Sequence, residues 1–285
     1  MTVVDSTASC DRVALVTGAG RGIGRAHALT LAGWGFAVVV NDLGTALDGS
    51  GVDHGPAQLV VDEIVRHGGA AVVDHTDVAS ITGGQRAVAN VIAAYGRIDV
   101  VINNAGFAHG GGTMEQPLPS ELDALLAVHF LAAVGTMSAA IADMRLRHWG
   151  RIINTVSEVA LDDRMAGSLG YGAAKAALWS ATLTTARQCV STGITVNAIS
   201  PGARTRMNAG LLDAGAFGDS EGVNLDPQHV ADVVAYLVSD EASDITGRVI
   251  HAAGGAIREY STARTSRSEL VDRLQFAVRN ATALS

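Results

Sequence analysis

Two side chains that could exchange a proton, Tyr171 and Lys175, stand four residues apart. One helical turn spans a similar distance, so a helix would present the phenol and the ammonium on one face. A free phenol has a pKa of about 10, which is too high for a base near neutral pH. A nearby ammonium favours the phenolate, so the pair could give a proton to a carbonyl oxygen or take one from a hydroxyl. A solvated helix face is the alternative that the pair alone leaves open.

Ser157 comes before this pair, just after the buried-looking run at 151–155. Its hydroxyl could hydrogen-bond a substrate oxygen beside Tyr171 and stabilise developing charge. A turn-capping serine is the alternative, and Thr155 and Ser168 could substitute for it. These groups suit hydride transfer between an alcohol and a ketone, which also needs a hydride carrier.

A glycine-rich segment at 17–24, Thr-Gly-Ala-Gly-Arg-Gly-Ile-Gly, lies between an apolar run and a helical pattern. Glycines allow a tight turn and a close approach of the backbone to a pyrophosphate, and the following helix presents free amides and a positive dipole end. A plain strand-to-helix connection is the alternative. The candidate cofactor contacts in this turn are Gly18, Arg21, Gly22, Ile23 and Gly24.

Asp42 ends the next apolar run, eighteen residues after Gly24. A carboxylate there can accept hydrogen bonds from both adenosine ribose hydroxyls and would repel a 2′-phosphate, which favours NAD over NADP. Arg21 is a counter-signal, because a base in the turn could meet that phosphate; a solvated strand-end aspartate is the alternative for Asp42. After the third run, Asp77 and Val78 could bracket the adenine, although such aspartates are also common turn formers.

Short Val/Ile runs alternate with longer helical patterns along the chain, which predicts an α/β fold with about seven parallel strands in a doubly wound sheet. We expect a single domain over 1–285, with a core at about 11–257 and a tail at 258–285. Loops at 107–113 and 203–226, the latter a candidate lid, would shape the pocket. The predicted strands lie at 13–17, 36–41, 70–74, 98–103, 151–155, 194–200 and 248–251, and the predicted helices at 23–33, 57–67, up to 95, within 120–148, around 171–175 and at 227–239.

Composition excludes several classes of protein. The net charge of −8 argues against a nucleic-acid binder, which needs clustered Lys and Arg. The two cysteines form neither a disulfide framework nor a metal site. The N-terminus lacks a secretory pattern, and apolar runs such as 36–40 are too short to span a bilayer. We therefore expect a soluble cytoplasmic protein without a metal, acting on a small molecule.

Taken in order, the motifs resemble those of the short-chain dehydrogenase/reductase family, over roughly 11–257. The matching segments are 17–24, Asn103-Asn104-Ala105-Gly106, Ser157, Tyr171-Gly172-Ala173-Ala174-Lys175 and Pro201-Gly202.

The resemblance implies a Rossmann fold and a role for each matching residue. Tyr171 would be the general acid/base, Lys175 would bind the nicotinamide ribose and lower the pKa of Tyr171, and Ser157 would orient the carbonyl. It also implies a homodimer or homotetramer, for which the apolar helix at 122–142 is the candidate contact. Asn104 with Ala105 and Gly106 would lie beside the adenosine ribose, and Pro201, Gly202 and Thr205 near the nicotinamide.

The sequence departs from the family pattern at two places. His129 stands where the family often has an Asn that holds a water in a proton relay; histidine could also relay, or could be a buried structural residue. Ser157 precedes Tyr171 by fourteen residues, one more than expected, which a bulge within 158–170 would absorb.

The run at 38–44, with 96–101 and 128–129, resembles the (3R)-hydroxyacyl-CoA dehydrogenase domain of multifunctional β-oxidation enzymes, whereas 201–207 is closer to generic reductases. The first implies NAD-linked oxidation of a fatty-acyl or steroid-derived 3-hydroxyacyl thioester. Alternatives are a steroid or terpene alcohol dehydrogenase, a 3-oxoacyl carrier-protein reductase, and a non-catalytic dinucleotide-binding redox sensor.

Overall fold

The structure, a computed structural model, describes residues 12–108, 111–161, 168–213, 225–254 and 256–260. Parts of the loop at 107–113, of the candidate lid and of the segment 158–170, and almost all of the tail, lie outside these residues. The strands are β1 (Val13–Thr17), β2 (Ala37–Asn41), β3 (Ala71–Asp74), β4 (Val100–Asn103), β5 (Gly150–Thr155), β6 (Ile194–Gly202), β7 (Val249–Ala253) and β8 (Ala256–Glu259).

These strands form one sheet in the order β3-β2-β1-β4-β5-β6-β7-β8. Neighbours from β3 to β7 pair in parallel, and β8 pairs antiparallel with β7. The predicted doubly wound α/β fold with seven parallel strands is therefore confirmed. The antiparallel edge strand was not predicted, because all four of its residues are exposed and carry no apolar pattern.

Helices cover both faces of the sheet, so its strands are buried on two sides, which explains their unbroken Val/Ile runs. One apolar cluster joins α1, α2 and α8 to one face, and a second joins α3, α5 and α6 to the other. The helices are α1 (Gly22–Gly33), α2 (Gly55–Arg66), α3 (Ile81–Tyr95), α4 (Pro119–Leu126), α5 (Ala132–Leu146), α6 (Leu169–Gln188), α7 (Ala209–Asp213) and α8 (Pro227–Leu237).

The chain winds outward in opposite directions from β1 and β4, which are neighbours in the middle of the sheet. At such a switch point the loops beyond the strands' carboxyl ends part and open a crevice. The glycine turn follows β1, Asp42 follows β2, and Asn104 follows β4, so the topology brings these residues to the same edge of the sheet.

The stretch Pro119–Leu146 corrects the expectation that no segment is long and apolar enough to span a membrane, because it has 28 residues and its most apolar window has a mean hydropathy of 1.9. Its residues nevertheless take part in the core: Ala133, Met137 and Met144 of α5 pack in the apolar cluster with α3 and α6. Core helices buried on several sides are apolar for this reason alone. The cytoplasmic location and the dimer or tetramer stay predictions.

His27 on α1 is a buried polar residue with no compensating bond. The residue is 1% exposed, and neither ring nitrogen has a hydrogen-bond partner within the described part of the chain. Burial lowers the pKa of His27 from 6.5 to about 3. Between pH 6.5 and pH 3 the unfolded chain therefore binds a proton at His27 more readily than the folded chain does. The free energy of unfolding is unaffected by His27 above pH 6.5 and decreases as the pH falls below that value.

We expect His27→Leu to remove the part of the protein's acid sensitivity that comes from His27, while His129, whose pKa burial also lowers, keeps its own part. At pH 5 the unfolded wild type binds a proton at His27 that the folded protein does not, which lowers the free energy of unfolding by about 2 kcal/mol. Leucine cannot bind this proton, so the variant avoids the loss. Urea unfolding at pH 7.5 and pH 5 measures this, with the exposed His67→Gln as the control. An equal loss of stability in wild type and His27→Leu would contradict the prediction.

Candidate active site

A cavity of about 1020 Å³ lies at the carboxyl ends of the parallel strands. Its walls come from segments that are far apart in the sequence and meet only because the strands are parallel. Every residue that the sequence predicted to be catalytic or cofactor-binding lines it: Gly18, Arg21, Gly22, Ile23, Gly24, Asp42, Asp77, Val78, Asn104, Ala105, Gly106, His129, Ser157, Tyr171, Lys175, Pro201, Gly202 and Thr205.

The glycine turn leaves no room for side chains. Gly18 has a φ of +64°, and a Cβ there would lie 2.8 Å from the Cα of Ala105. A Cβ on Gly24 would lie 2.1 Å from the carbonyl oxygen of Gly18. The next residues enter α1, whose N-cap Arg21 makes no side-chain cap bond, so the first amides of the helix remain available to an anion. These features fit a bound pyrophosphate.

Asn104 holds this turn in place. Its side-chain Nδ2 donates to the carbonyl oxygens of Thr17 and Gly18, both at 3.1 Å, and its backbone amide donates to the Thr17 hydroxyl at 3.0 Å. The side-chain amide of Asn104, a residue expected beside a ribose, therefore links the end of β4 to the glycine turn. Asn104 lines the cavity but contributes chiefly by fixing its floor.

Asp42 also bonds to the backbone around it. Oδ2 accepts from the Gly20 amide at 2.7 Å, and Oδ1 accepts from the Gly44 amide at 2.6 Å. A carboxylate has about four acceptor positions, so Asp42 can still accept ribose hydroxyls. The Arg21 guanidinium lies 3.4 Å from the Asp53 carboxylate, on the loop that follows β2.

Asp77 forms a turn, which is the alternative that the sequence offered for it. Its Oδ1 accepts from the Ala79 amide at 2.9 Å, while neighbouring Val78 is 5% exposed and supplies an apolar wall. Thr205 lies against the turn on the other side, since a Cβ on Gly22 would meet the Thr205 methyl at 3.6 Å.

The side chains of Ser157 and Tyr171 lie close together in the cavity wall. Ser157 Oγ accepts from the Val159 amide at 3.4 Å, so it takes the capping role that the sequence left as an alternative and still lines the site. Burial raises the pKa of the Tyr171 phenol, and the nearby Ser157 hydroxyl opposes this rise. The extra residue between Ser157 and Tyr171 therefore does not separate them.

Lys175 is 3% exposed, and its ammonium donates to the Thr155 carbonyl oxygen at 2.5 Å. Burial lowers the pKa of Lys175 from 10.5 to about 7. Its nitrogen lies 5.6 Å from the centre of the Tyr171 ring. The sequence predicted that this ammonium lowers the pKa of the phenol. In the structure the pKa of Tyr171 is raised instead, because desolvation by burial is the largest effect on it.

His129 lies in a single π-helical turn, Ala127–Leu131, between α4 and α5. Such turns are frequent at functional sites. Nε2 donates to the Phe107 carbonyl oxygen at 2.7 Å, and Nδ1 is a buried acceptor that has no partner among the residues the structure describes. The ring stands edge-on to Tyr171 at 5.3 Å between centres. Burial, and then the charge of Lys175, hold the pKa of His129 well below 6.5, so the ring is neutral.

Several cavity residues were missed in the sequence. They include the loop at 45–50, whose Thr45 carbonyl oxygen accepts at 3.4 Å from Arg206, a residue of the candidate lid, across the cavity. Glu158 and His251 also line the wall near Ser157. The adjacency of Glu158 to Ser157 was visible in the sequence, but nothing in it links Glu158 to a strand nearly a hundred residues later.

Comparisons with known proteins agree with this geometry. Residues 12–214 match a family described as short chain dehydrogenase. The crystal structure of a short chain dehydrogenase from Mycobacterium avium is similar, with a TM-score of 0.77 and 38% sequence identity, over 94% of each chain.

Three curated relatives have more specific names. A hydroxyacyl-CoA dehydrogenase of Mycobacterium tuberculosis is 36% identical over 90% of this chain and 81% of its own. The 3-oxoacyl-(acyl-carrier-protein) reductase of Escherichia coli is 37% identical over 86% of this chain and 96% of its own. The peroxisomal hydratase-dehydrogenase-epimerase of Saccharomyces cerevisiae is 35% identical over 90% of this chain, which spans only 27% of that longer protein.

Gly106→Ala is expected to displace His129, because a Cβ there would lie 1.9 Å from the ring's Cε1. Overpacking of this kind costs about 1–3 kcal/mol of the free energy of unfolding, which urea titration measures. Gly172→Ala is the matched control: its nearest atom would be the Val159 Cγ1 at 3.6 Å, and alanine within a helix stabilises by about 0.5–1 kcal/mol. Equal stability of the two variants would contradict the packing seen here.

Proposed function

The chain belongs to the short-chain dehydrogenase family, and we propose that it is an NAD-dependent member that interconverts a fatty-acyl or steroid-derived 3-hydroxyacyl-CoA and its 3-oxo form. Membership makes it an oxidoreductase that acts on CH–OH groups with a nicotinamide dinucleotide. One observation carries the catalytic proposal: Tyr171, Ser157 and the buried Lys175 line the same cavity as the glycine turn.

The groups of the cavity can move a proton without solvent. When the ketone is reduced, the Tyr171 hydroxyl donates its proton to the carbonyl oxygen, and Ser157 donates a hydrogen bond that stabilises the charge developing there. In the reverse direction the Tyr171 oxygen takes the proton from the alcohol. A bound nicotinamide dinucleotide supplies or accepts the hydride, and its oxidised ring adds positive charge near the phenol.

After Tyr171 gives up its proton, the phenol must be protonated again, and two neighbouring groups of the cavity can take part in this step. Lys175 has a pKa of about 7, so it can give up and regain a proton near neutral pH. His129 offers the unpartnered Nδ1 as an acceptor beside the same phenol. We assign to His129 the relay position that the family often gives to an Asn.

The preference for NAD is supported by the charges at the end of β2. A 2′-phosphate would meet the carboxylate of Asp42, which the Gly20 and Gly44 amides hold in one orientation. Arg21, the group that could compensate, faces Asp53 instead. Repulsion at a fixed carboxylate then outweighs attraction to a partly exposed, already paired guanidinium.

The acyl-CoA substrate is supported by the relatives named for hydroxyacyl-CoA and for peroxisomal dehydrogenase chemistry. Arg206 lines the cavity, while Arg204 pairs with Asp213 on the surface, so Arg206 is the better candidate for a CoA phosphate. A carrier-protein reductase is the second candidate, favoured by the relative that matches over nearly its whole length.

Tyr171→Phe should abolish turnover, with kcat lowered at least about a thousandfold, because it removes the only proposed proton donor. NAD binding should persist, since the phenol does not hold the pyrophosphate. Steady-state rates with a panel of 3-hydroxyacyl-CoA, 3-oxoacyl carrier-protein, steroid and cyclic alcohol substrates measure this.

The exposed Tyr236→Phe, on α8, is the control and should keep wild-type rates. Unchanged turnover in Tyr171→Phe would contradict the proton-donor role. Activity with simple cyclic alcohols but not with acyl-CoA would refute the substrate, and binding of NAD without turnover of any substrate would favour the redox sensor.

Asp42→Ala should weaken NAD binding about tenfold, because hydrogen bonds to a charged group are lost, and should relax discrimination against NADP. Asp53→Ala should instead free Arg21 and tighten NADP alone. Dissociation constants for both dinucleotides, from fluorescence titration, separate these effects. A wild-type preference for NADP would contradict the prediction that Asp42 repels the 2′-phosphate more strongly than Arg21 attracts it.

A further inference from the structure

We propose that Glu158 is a positioning residue for Ser157, held in place by the edge strand β8, so that this strand sets the geometry of the proton-transfer site. The proposal rests on the function proposed above. It concerns a cluster that the family motifs do not include: Glu158, His251, Arg258 and Tyr260.

One carboxylate oxygen is the centre of the cluster. The Oε1 atom of Glu158 accepts from the Tyr260 hydroxyl at 2.5 Å and from the Arg258 guanidinium at 3.0 Å. His251 Nδ1 lies 3.4 Å from the same atom. The Glu158 and His251 side chains are only 23% and 4% exposed, whereas the Arg258 side chain is 57% exposed, so solvent weakens the bond from Arg258 more than the bond from Tyr260.

The partners of Glu158 come from the far edge of the sheet. His251 belongs to β7, Arg258 pairs opposite it on β8, and the Tyr260 amide donates to the Val249 carbonyl oxygen at 2.8 Å. Glu158 itself follows β5, so its side chain reaches past the end of β6. The cluster thus fastens two strands that share no ladder.

Glu158 is the first residue of the short 3₁₀ turn Glu158–Ala160, which Ser157 caps. The Ala160 amide donates to the Ser157 carbonyl oxygen at 3.0 Å, and the Leu161 amide to that of Glu158 at 2.8 Å. A force on the Glu158 side chain is therefore transmitted to the backbone of Ser157. Because the Ser157 hydroxyl lies beside the phenol of Tyr171 in the cavity, a displacement of Ser157 by a fraction of an ångström would misalign it with the reacting oxygen.

The test compares two neighbouring residues of the same hairpin. Tyr260→Phe keeps the ring beside His251 but removes its bond to Glu158. Glu259→Gln breaks the ion pair with Arg248, which also joins β8 to the sheet but does not touch the turn. Tyr260→Phe should lower kcat about tenfold with KM unchanged within about twofold, whereas Glu259→Gln should change neither.

A double variant separates a shared route from two independent effects. Glu158→Ala should lower kcat by a similar factor, and Glu158→Ala combined with Tyr260→Phe should be no worse than Glu158→Ala alone, because both remove the same contact. Multiplied losses in the double variant would overturn the proposal.

A spectroscopic measurement makes the test independent of turnover. With tyrosine labelled at ¹³Cζ, the Tyr171 resonance is assigned by its loss in Tyr171→Phe. Tyr260→Phe should shift it toward its position in Ser157→Ala, and Glu259→Gln should leave it in place. If wild type turns over no secondary alcohol, the proposed function fails, yet this resonance still decides the role of Glu158. Identical spectra and rates in Tyr260→Phe and Glu259→Gln would overturn that role.

Discussion

Burial of the Lys175 ammonium against the end of β5 is the contact on which the site depends. The bond to the Thr155 carbonyl oxygen fixes α6 on the sheet, and Tyr171, one turn earlier, is thereby held over the cavity beside Ser157. The same burial opposes charge on both groups, since it lowers the pKa of Lys175 and raises that of Tyr171. An oxidised nicotinamide bound beside the phenol would supply the positive charge that the protein by itself withholds.

A fully paired polar network beneath the site makes this geometry rigid. The Asn103 amide donates to Asn154, Asn154 donates to the Thr182 hydroxyl, and Thr136 donates to Asn103, all at 2.7–2.9 Å. The network joins β4 and β5 to α5 and α6; α6 carries Tyr171, and α5 continues the π-helical turn of His129. Because these buried groups have partners, the network contributes rigidity without the cost of an unpaired group. His129 Nδ1 and the Thr155 hydroxyl, which line the same cavity, have no partner among the described residues.

Close backbone packing completes the site at positions where no side chain fits. Gly18 and Gly24 allow the turn to contact β4 and itself, and Gly106 allows the His129 ring to lie flat against the chain. The glycine motif predicted the roles of Gly18 and Gly24, because its spacing is typical of phosphate-binding turns. The purpose of Gly106 became visible only with its neighbour, because His129 comes from a helix more than twenty residues later.

The amino-acid sequence by itself determined the fold class, the family and a core group of residues around the cavity, because strand periodicity, the glycine spacing and the Tyr171–Lys175 interval are local patterns. Tertiary structure alone decided how those residues are used. It turned Asn104 toward the glycine turn, paired Arg21 with Asp53, reversed the expected direction of the Tyr171 pKa, and linked Glu158 to β8. These outcomes depend on burial and on contacts between distant segments, which packing creates and no local pattern records.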